Sequence, residues 1–239
     1  MGGRSVRVSR LVGAFIGVAW LAGVTGSQAA EPDGATTPHQ ANFGEQSAST
    51  MVRQVAEWVA TSGDNQGLPF VIVDKVDAEV FAFDAQAKLR GAAPALLGLT
   101  VGDEATPGVG DKKLADIGPD ERTTPAGRFV ASLGRDLGEK DVLWVDYKNA
   151  IALHRVITTN AKEHRLQRLA TPTPLDNRIS YGCINVPVAF YEAEIKPAFT
   201  GTNGIVYVLP ERKTLMDTFP GYRQAINETG RPSAIAVHW

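Results

Sequence analysis

The chain has 239 residues, 44% of them hydrophobic and 21% charged, with a formal net charge of −2. That is globular composition, which excludes wholesale disorder, and the faintly acidic balance gives no electrostatic basis for binding nucleic acid. With one cysteine, neither an intramolecular disulfide nor a structural zinc site with two or more Cys ligands is available.

Residues 1–29 read as a secretory signal peptide. Arg4, Arg7 and Arg10 form a basic leader, Leu11–Val24 is an uncharged and mostly apolar run of 14, and small residues follow at Ser27 and Ala29. The run is shorter than the ~18–20 residues a spanning helix needs, and the lone cysteine lies too far downstream for lipid attachment. Cleavage after Ala29 removes three arginines and no acid, taking the formal charge from −2 to −5. The expectation is a soluble exported protein of the bacterial periplasm, with no membrane span after processing. In an oxidising compartment an unpaired cysteine is either buried and inert or reactive.

Residues 30–48 are polar, with Pro32 and Pro38, and read as a flexible linker. Over 49–67, Met51, Val52, Val55, Trp58 and Val59 form a helical stripe with Ser49 or Thr50 as N-cap and Gly63 as terminator. From Leu68 the pattern becomes β. Residues 70–73 and 80–83 flank a turn and predict a hairpin, and Ala93–Leu99 is a third apolar run. Residues 102–122, rich in Gly, Asp and Lys, predict an exposed loop. Strand patterns return at 127–133, 142–147, 150–156 and 205–209, and a short helix is predicted from Pro187 to Ile195, ended by Pro197. Many short strands and few helices indicate a mainly β domain over 68–210. The tail 211–239 carries one candidate helix, Gly221–Glu228.

The chemistry concentrates around the cysteine, in Arg178-Ile-Ser-Tyr-Gly-Cys183-Ile-Asn185-Val-Pro187. Gly182 lacks a Cβ and lets a substrate approach the backbone, and the helix beginning near Pro187 directs N–H groups and a positive dipole end toward the region. A thiol of ordinary pKa, ~8.5, needs a base to become a strong nucleophile. Of four histidines, His39 lies in the linker, His238 at the terminus, and His164 in the charged run Lys162–Arg165. His154 ends Ala150-Ile-Ala-Leu-His154, where strand alternation sets it beside Ala150 and Ala152 and opposite Ile151 and Leu153. A strand histidine is also often a surface or hydrogen-bonded core residue, and spacing alone leaves both readings open.

Thr124-Pro-Ala-Gly-Arg-Phe129, then a strand histidine, then Ser180-Tyr-Gly-Cys-Ile-Asn185 resembles the L,D-transpeptidase (YkuD-type) catalytic domain over roughly residues 68–210. Two departures stand out: Tyr181 occupies a position where many members carry His, and the 29 residues from His154 to Cys183 exceed the family's usual spacing. The extra segment, Thr158–Arg178, carries Lys162, Arg165, Arg168 and Arg178 against Glu163 and Asp176. It reads either as a solvated helix and loop or as a lid over an anionic substrate.

The resemblance implies a β-sandwich or barrel with one or two short helices and an N-terminal helical appendage, acting on peptidoglycan stem peptides. Cys183 would be the nucleophile and His154 the general base, its other ring nitrogen held by the Arg155 carbonyl. Backbone N–H groups of Tyr181, Gly182 and Cys183 would form the oxyanion hole. Ser180 and Asn185 would shape the loop, and Arg155 and Arg178 would meet substrate carboxylates or remain surface residues. No cofactor and no metal are implied. A hydrolase on the same scaffold, an L,D-carboxypeptidase, and a wall-binding protein without turnover are the alternatives.

Overall fold

The computed structural model describes residues 40–136, 138 and 140–230. The expected signal peptide, the first part of the linker, His39 and His238 lie outside the described residues.

Among the described residues, ten strands follow in chain order: β1 (Phe70–Asp74), β2 (Glu79–Phe83), β3 (Leu89–Pro94), β4 (Leu97–Gly98), β5 (Gly127–Arg135), β6 (Asp141–Asp146), β7 (Ile151–Arg155), β8 (Arg178–Ser180), β9 (Ile184–Val186) and β10 (Gly204–Val208). Eight form one sheet in the order β3-β2-β1-β10-β5-β6-β7-β9, and β4 and β8 pair separately. The β1–β10 and β7–β9 pairs are parallel. The hairpin turn between β1 and β2 is fixed by Asp74, whose Oδ1 accepts the Val76 and Asp77 N–H groups at 2.9 and 3.1 Å.

The fold is mainly β, and its large sheet is nearly closed. Val80 and Ala82 of β2 share one core with Ile151 and Leu153 of β7 and Ile184 and Val186 of β9, so the two ends of the sheet curl around a common interior. Leu96 and Asn185 tie those ends together through reciprocal backbone bonds of 2.8 and 2.9 Å. Strands β1, β2 and β10 are buried on both faces, which is why they read as continuous apolar runs rather than alternating ones.

Their second face meets helix α1 (Thr50–Ser62). Ser49 caps α1 by accepting the Val52 N–H at 3.2 Å, and Gly63 ends it in the left-handed conformation at φ 68°. Val52, Val55, Trp58 and Val59 face Phe70, Ile72, Phe81 and Tyr207. After α2 (Arg165–Ala170), α3 (Val188–Phe190) and α4 (Lys196–Phe199) come α5 (Leu215–Thr218) and α6 (Pro220–Thr229). Leu215, Phe219 and Tyr222 of this last pair complete the α1 core, so the segment after 210 is integral to the packing.

Two local expectations need correction. The helix from Pro187 does not stop at Pro197: α3 leads through a π-helical turn, Tyr191–Ile195, into α4, and Pro197 sits in the first turn of α4, where its missing N–H disturbs least. The segment 102–122 is exposed only in part. Val109 and Ile117 are buried, and Asp103 is 6% exposed. Asp103 accepts the Lys75 ammonium at 2.9 Å and the backbone N–H groups of Glu211, Arg212 and Lys213 at 2.8–2.9 Å.

Candidate active site

His154 stands on β7, and Cys183 immediately precedes β9, the parallel strand beside it. In the β7–β9 register Leu153 faces Ile184, and His154 faces Asn185. Ile151, Leu153, Ile184 and Val186 point into the core, so alternation turns Ala152, His154 and Asn185 to the opposite face.

The imidazole is fixed by its own strand. His154 Nδ1 lies 2.7 Å from the Arg155 carbonyl oxygen. A carbonyl only accepts, so Nδ1 carries the hydrogen and the Nε2 lone pair remains for a proton. Burial lowers the His154 pKa, and the positive charges of Arg165 and Arg155 lower it further against the stabilising Arg155 carbonyl, so the ring is neutral at neutral pH. Burial also raises the Cys183 pKa, opposed by the Ala152 N–H and the charge of Arg165. The resting pair is therefore a neutral thiol and a neutral imidazole. The thiol donates to the carbonyl of Ala150 at 3.6 Å, a residue held at φ 55° in the turn before β7.

The loop carrying the thiol is braced from four directions. Ser180 Oγ donates to the Cys183 carbonyl at 2.6 Å and accepts the Gly182 N–H at 3.1 Å. Asn185 Nδ2 donates to the same Cys183 carbonyl at 3.2 Å. Thr124 Oγ1 donates to the Gly182 carbonyl at 2.8 Å and accepts the Gly98 N–H at 2.9 Å. The Arg122 guanidinium lies over the Tyr181 ring, 3.9 Å from its centroid. Gly182 has φ 124°, and a Cβ there would meet Ile151 Cδ1 at 2.7 Å and the Thr123 carbonyl oxygen at 2.8 Å, so only glycine fits.

Of the expected oxyanion donors, the Gly182 N–H is thus committed to Ser180. Arg155 and Arg178 are engaged by the protein itself. Arg155 bonds Glu192 at 2.5 Å and Asp141 Oδ2 at 3.1 Å. Arg178 pairs with Glu211 and donates to the Lys75 carbonyl at 2.7 Å. His164 is exposed, at the start of α2. A cleft of about 260 Å³ opens beside His154, lined among others by Asp141, Val142, Thr158, Thr159 and Val188. Among the described residues, no group of three or more His, Cys, Asp or Glu side chains is placed to hold a metal ion.

Three further residues support the site, and only Arg165 has a candidate role in the sequence, as part of a lid. Thr124 anchors the cysteine loop. Lys75, fully buried, donates to the Thr124 carbonyl at 3.0 Å and the Gly102 carbonyl at 2.5 Å, its pKa lowered by burial to about 8. Arg165, within the long segment between His154 and Cys183, donates to Asn185 Oδ1 at 2.7 Å. Thr124 lies inside the Thr-Pro-x-Gly motif, but its partner is 58 residues away.

No family model and no curated protein matches the chain. Among solved structures it is similar to the L,D-transpeptidase of Xylanimonas cellulosilytica, at 15% identity over 59% of this chain and 60% of that one, with a TM-score of 0.35. It is similar to the catalytic domain of an E. faecium L,D-transpeptidase at 16% identity, over 59% and 95% of the two chains, with a TM-score of 0.33. For the helical cell shape determining protein Pgp2 of Campylobacter jejuni the values are 16%, 66%, 55% and 0.38. The chain spans less than two thirds of the length of the first and third. A likeness this remote carries no argument about activity or substrate. The solved structures to which the chain is similar include L,D-transpeptidases, the family whose Thr-Pro-x-Gly and Gly-Cys motifs its own sequence resembles.

Proposed function

We propose that the chain is an exported cysteine acyltransferase acting on peptidoglycan stem peptides by L,D-transpeptidation. The observation that carries this reading is the bond that fixes His154: Nδ1–H is spent on the Arg155 carbonyl, which leaves Nε2 as the proton acceptor on the strand beside the one Cys183 leads into.

Rotation of the thiol from Ala150 toward Nε2 lets His154 take its proton as sulfur attacks the carbonyl of the L-centre of the stem's diacid residue. The C–S bond forms, the carbonyl oxygen takes the negative charge, and the flanking Tyr181 and Cys183 N–H groups are the donors this reading assigns to it. Collapse breaks the C–N bond, His154 returns its proton to the leaving amine, and terminal D-Ala departs. An amine from a second stem then attacks the thioester, restoring the thiol and forming the new amide. A neutral resting pair suits this order, because the proton moves during attack rather than before it.

The test is product analysis. Purified protein incubated with disaccharide-tetrapeptide is expected to release D-Ala and form dimers whose new amide joins the L-centre carbonyl of one stem to the amine of a second. Release of D-Ala with tripeptide alone would make water the acceptor and the protein a carboxypeptidase, and no release would overturn the reading.

A further inference from the structure

The segment Thr158–Arg178 carries four cations, and they are not equivalent. Lys162 is exposed. Arg168 is bound by two backbone carbonyls, Glu163 at 2.8 Å and Asp176. Arg178 is paired with Glu211. Arg165 alone of the four reaches the reactive face: its Nη1 donates to Asn185, the residue in register with His154 and the one whose amide braces the Cys183 carbonyl. Its side chain is 11% exposed, and its charge weighs on both Cys183 and His154.

The counterion of Arg165 is Glu163, two residues away on the same segment, with Nε to Oε2 at 2.5 Å. Glu163 is half-buried, on a single 3-10 turn, Ala161–Glu163. A local carboxylate on a short turn is exchangeable: an incoming carboxylate can take its place on the guanidinium at no net cost in charge pairing, while Nη1 stays on Asn185. Arg155, which also lies beside His154, has both forks filled by Asp141 and Glu192, and so does not compete for that anion.

We propose that Arg165 is the specificity residue of this site, exchanging Glu163 for a carboxylate carried by the molecule that reacts at Cys183. This rests on the reading of Cys183 as the reactive group, and it names the substrate class: an acyl compound with a free carboxylate near the scissile carbonyl.

The experiment compares alkylation of Cys183 in the full-length protein by iodoacetate, which is anionic, and iodoacetamide, which is neutral. In both, sulfur displaces iodide from the CH₂ carbon and the thiol proton is lost to base, so their rate ratio isolates the effect of the reagent's carboxylate. Arg165→Gln is expected to lower the iodoacetate-to-iodoacetamide ratio about five-fold, equivalent to roughly 1 kcal/mol. Arg165→Lys should restore part of it, and Glu163→Gln should raise it by freeing the guanidinium. Lys162→Gln, the same charge change at an exposed position of the same segment, should leave the ratio unmoved. An unchanged ratio in Arg165→Gln, or an equal fall in Lys162→Gln, overturns the proposal. Because Arg165→Lys and Glu163→Gln act in opposite directions, a poorly folded Arg165→Gln still leaves a decisive comparison. Failure of the transpeptidase reading shows separately, as a protein with the carboxylate preference at Cys183 that releases no D-Ala from stems.

Discussion

Replacing Thr124 by Val tests whether the cysteine loop is held from across the fold. Valine keeps the shape and removes the hydroxyl. Two bonds go at once: the donation to the Gly182 carbonyl at 2.8 Å and the acceptance from the Gly98 N–H at 2.9 Å. Thr124 is fully buried, so no water replaces them, and a buried backbone group left unpaired costs about 1–3 kcal/mol. The two losses share one side chain and partly relax together, so a total of about 2–4 kcal/mol is expected from urea denaturation. Thr124→Ser keeps the hydroxyl and removes one methyl, about 1 kcal/mol of burial. Reactivity at Cys183 should separate the variants further: Thr124→Val loses the set of the Gly182 peptide and with it stem turnover, while Thr124→Ser retains turnover. If Thr124→Val unfolds within 0.5 kcal/mol of Thr124→Ser, the hydroxyl does not carry the loop and the reasoning fails.

Three further outcomes follow from the same geometry. Gly182→Ala is expected to cost about 2–4 kcal/mol and abolish turnover, and a second change, Ile151→Val, should not rescue it, because the Thr123 backbone oxygen at 2.8 Å remains in the way; full activity in the single variant would refute the close approach. Since burial holds the folded His154 pKa below its ordinary 6.5, the unfolded chain binds the extra proton first. Stability therefore falls as pH drops through 6.5 toward the folded value, and the stability difference between wild type and His154→Gln should shrink from pH 7.5 to 5; a pH-independent difference would contradict it. Lys75→Met strands Asp103 and Glu211 without their buried ammonium and should destabilise by about 3–5 kcal/mol, whereas Lys213→Met, at an exposed pair, should leave the urea midpoint unmoved.

What the sequence made legible has a physical pattern. Helix α1 was readable because both of its signals are local: Ser49 bonds the N–H three residues on, and Gly63 takes the left-handed turn. The orientation of His154 was readable because strand alternation has a period of two. The roles of Thr124 and Lys75 were not, since their partners lie 58 and 49 residues away and nothing in the spacing identifies them. Arg165 is one of four cations in a segment that reads either as a solvated helix and loop or as a lid; that it is the one bonded to Asn185 depends on a partner 20 residues away. The tail after Pro210 showed one candidate helix, Gly221–Glu228, and no sign of its packing, because Leu215, Phe219 and Tyr222 are buried against a core whose other buried members come from α1, the sheet and residues near them. Asp103, in a run rich in Gly and charge, looked exposed for the same reason: the groups that bury it are Lys75 and residues 211–213.

Most directly at issue is whether Cys183 forms the acyl bond. Purified protein and its Cys183→Ala variant would be mixed with a tetrapeptide stem, quenched in acid within the first turnovers, and mapped by peptide mass spectrometry. The thiol is half-buried, and losing one sulfur there should leave the melting temperature near that of wild type. Wild type is expected to carry the stem tripeptide, as a thioester released by hydroxylamine, on the peptide containing Cys183, with D-Ala released in equal amount. The folded Ala variant is expected to carry nothing and release nothing. Release of D-Ala by the Ala variant, or an adduct on any other residue, would contradict the assignment of Cys183 as nucleophile.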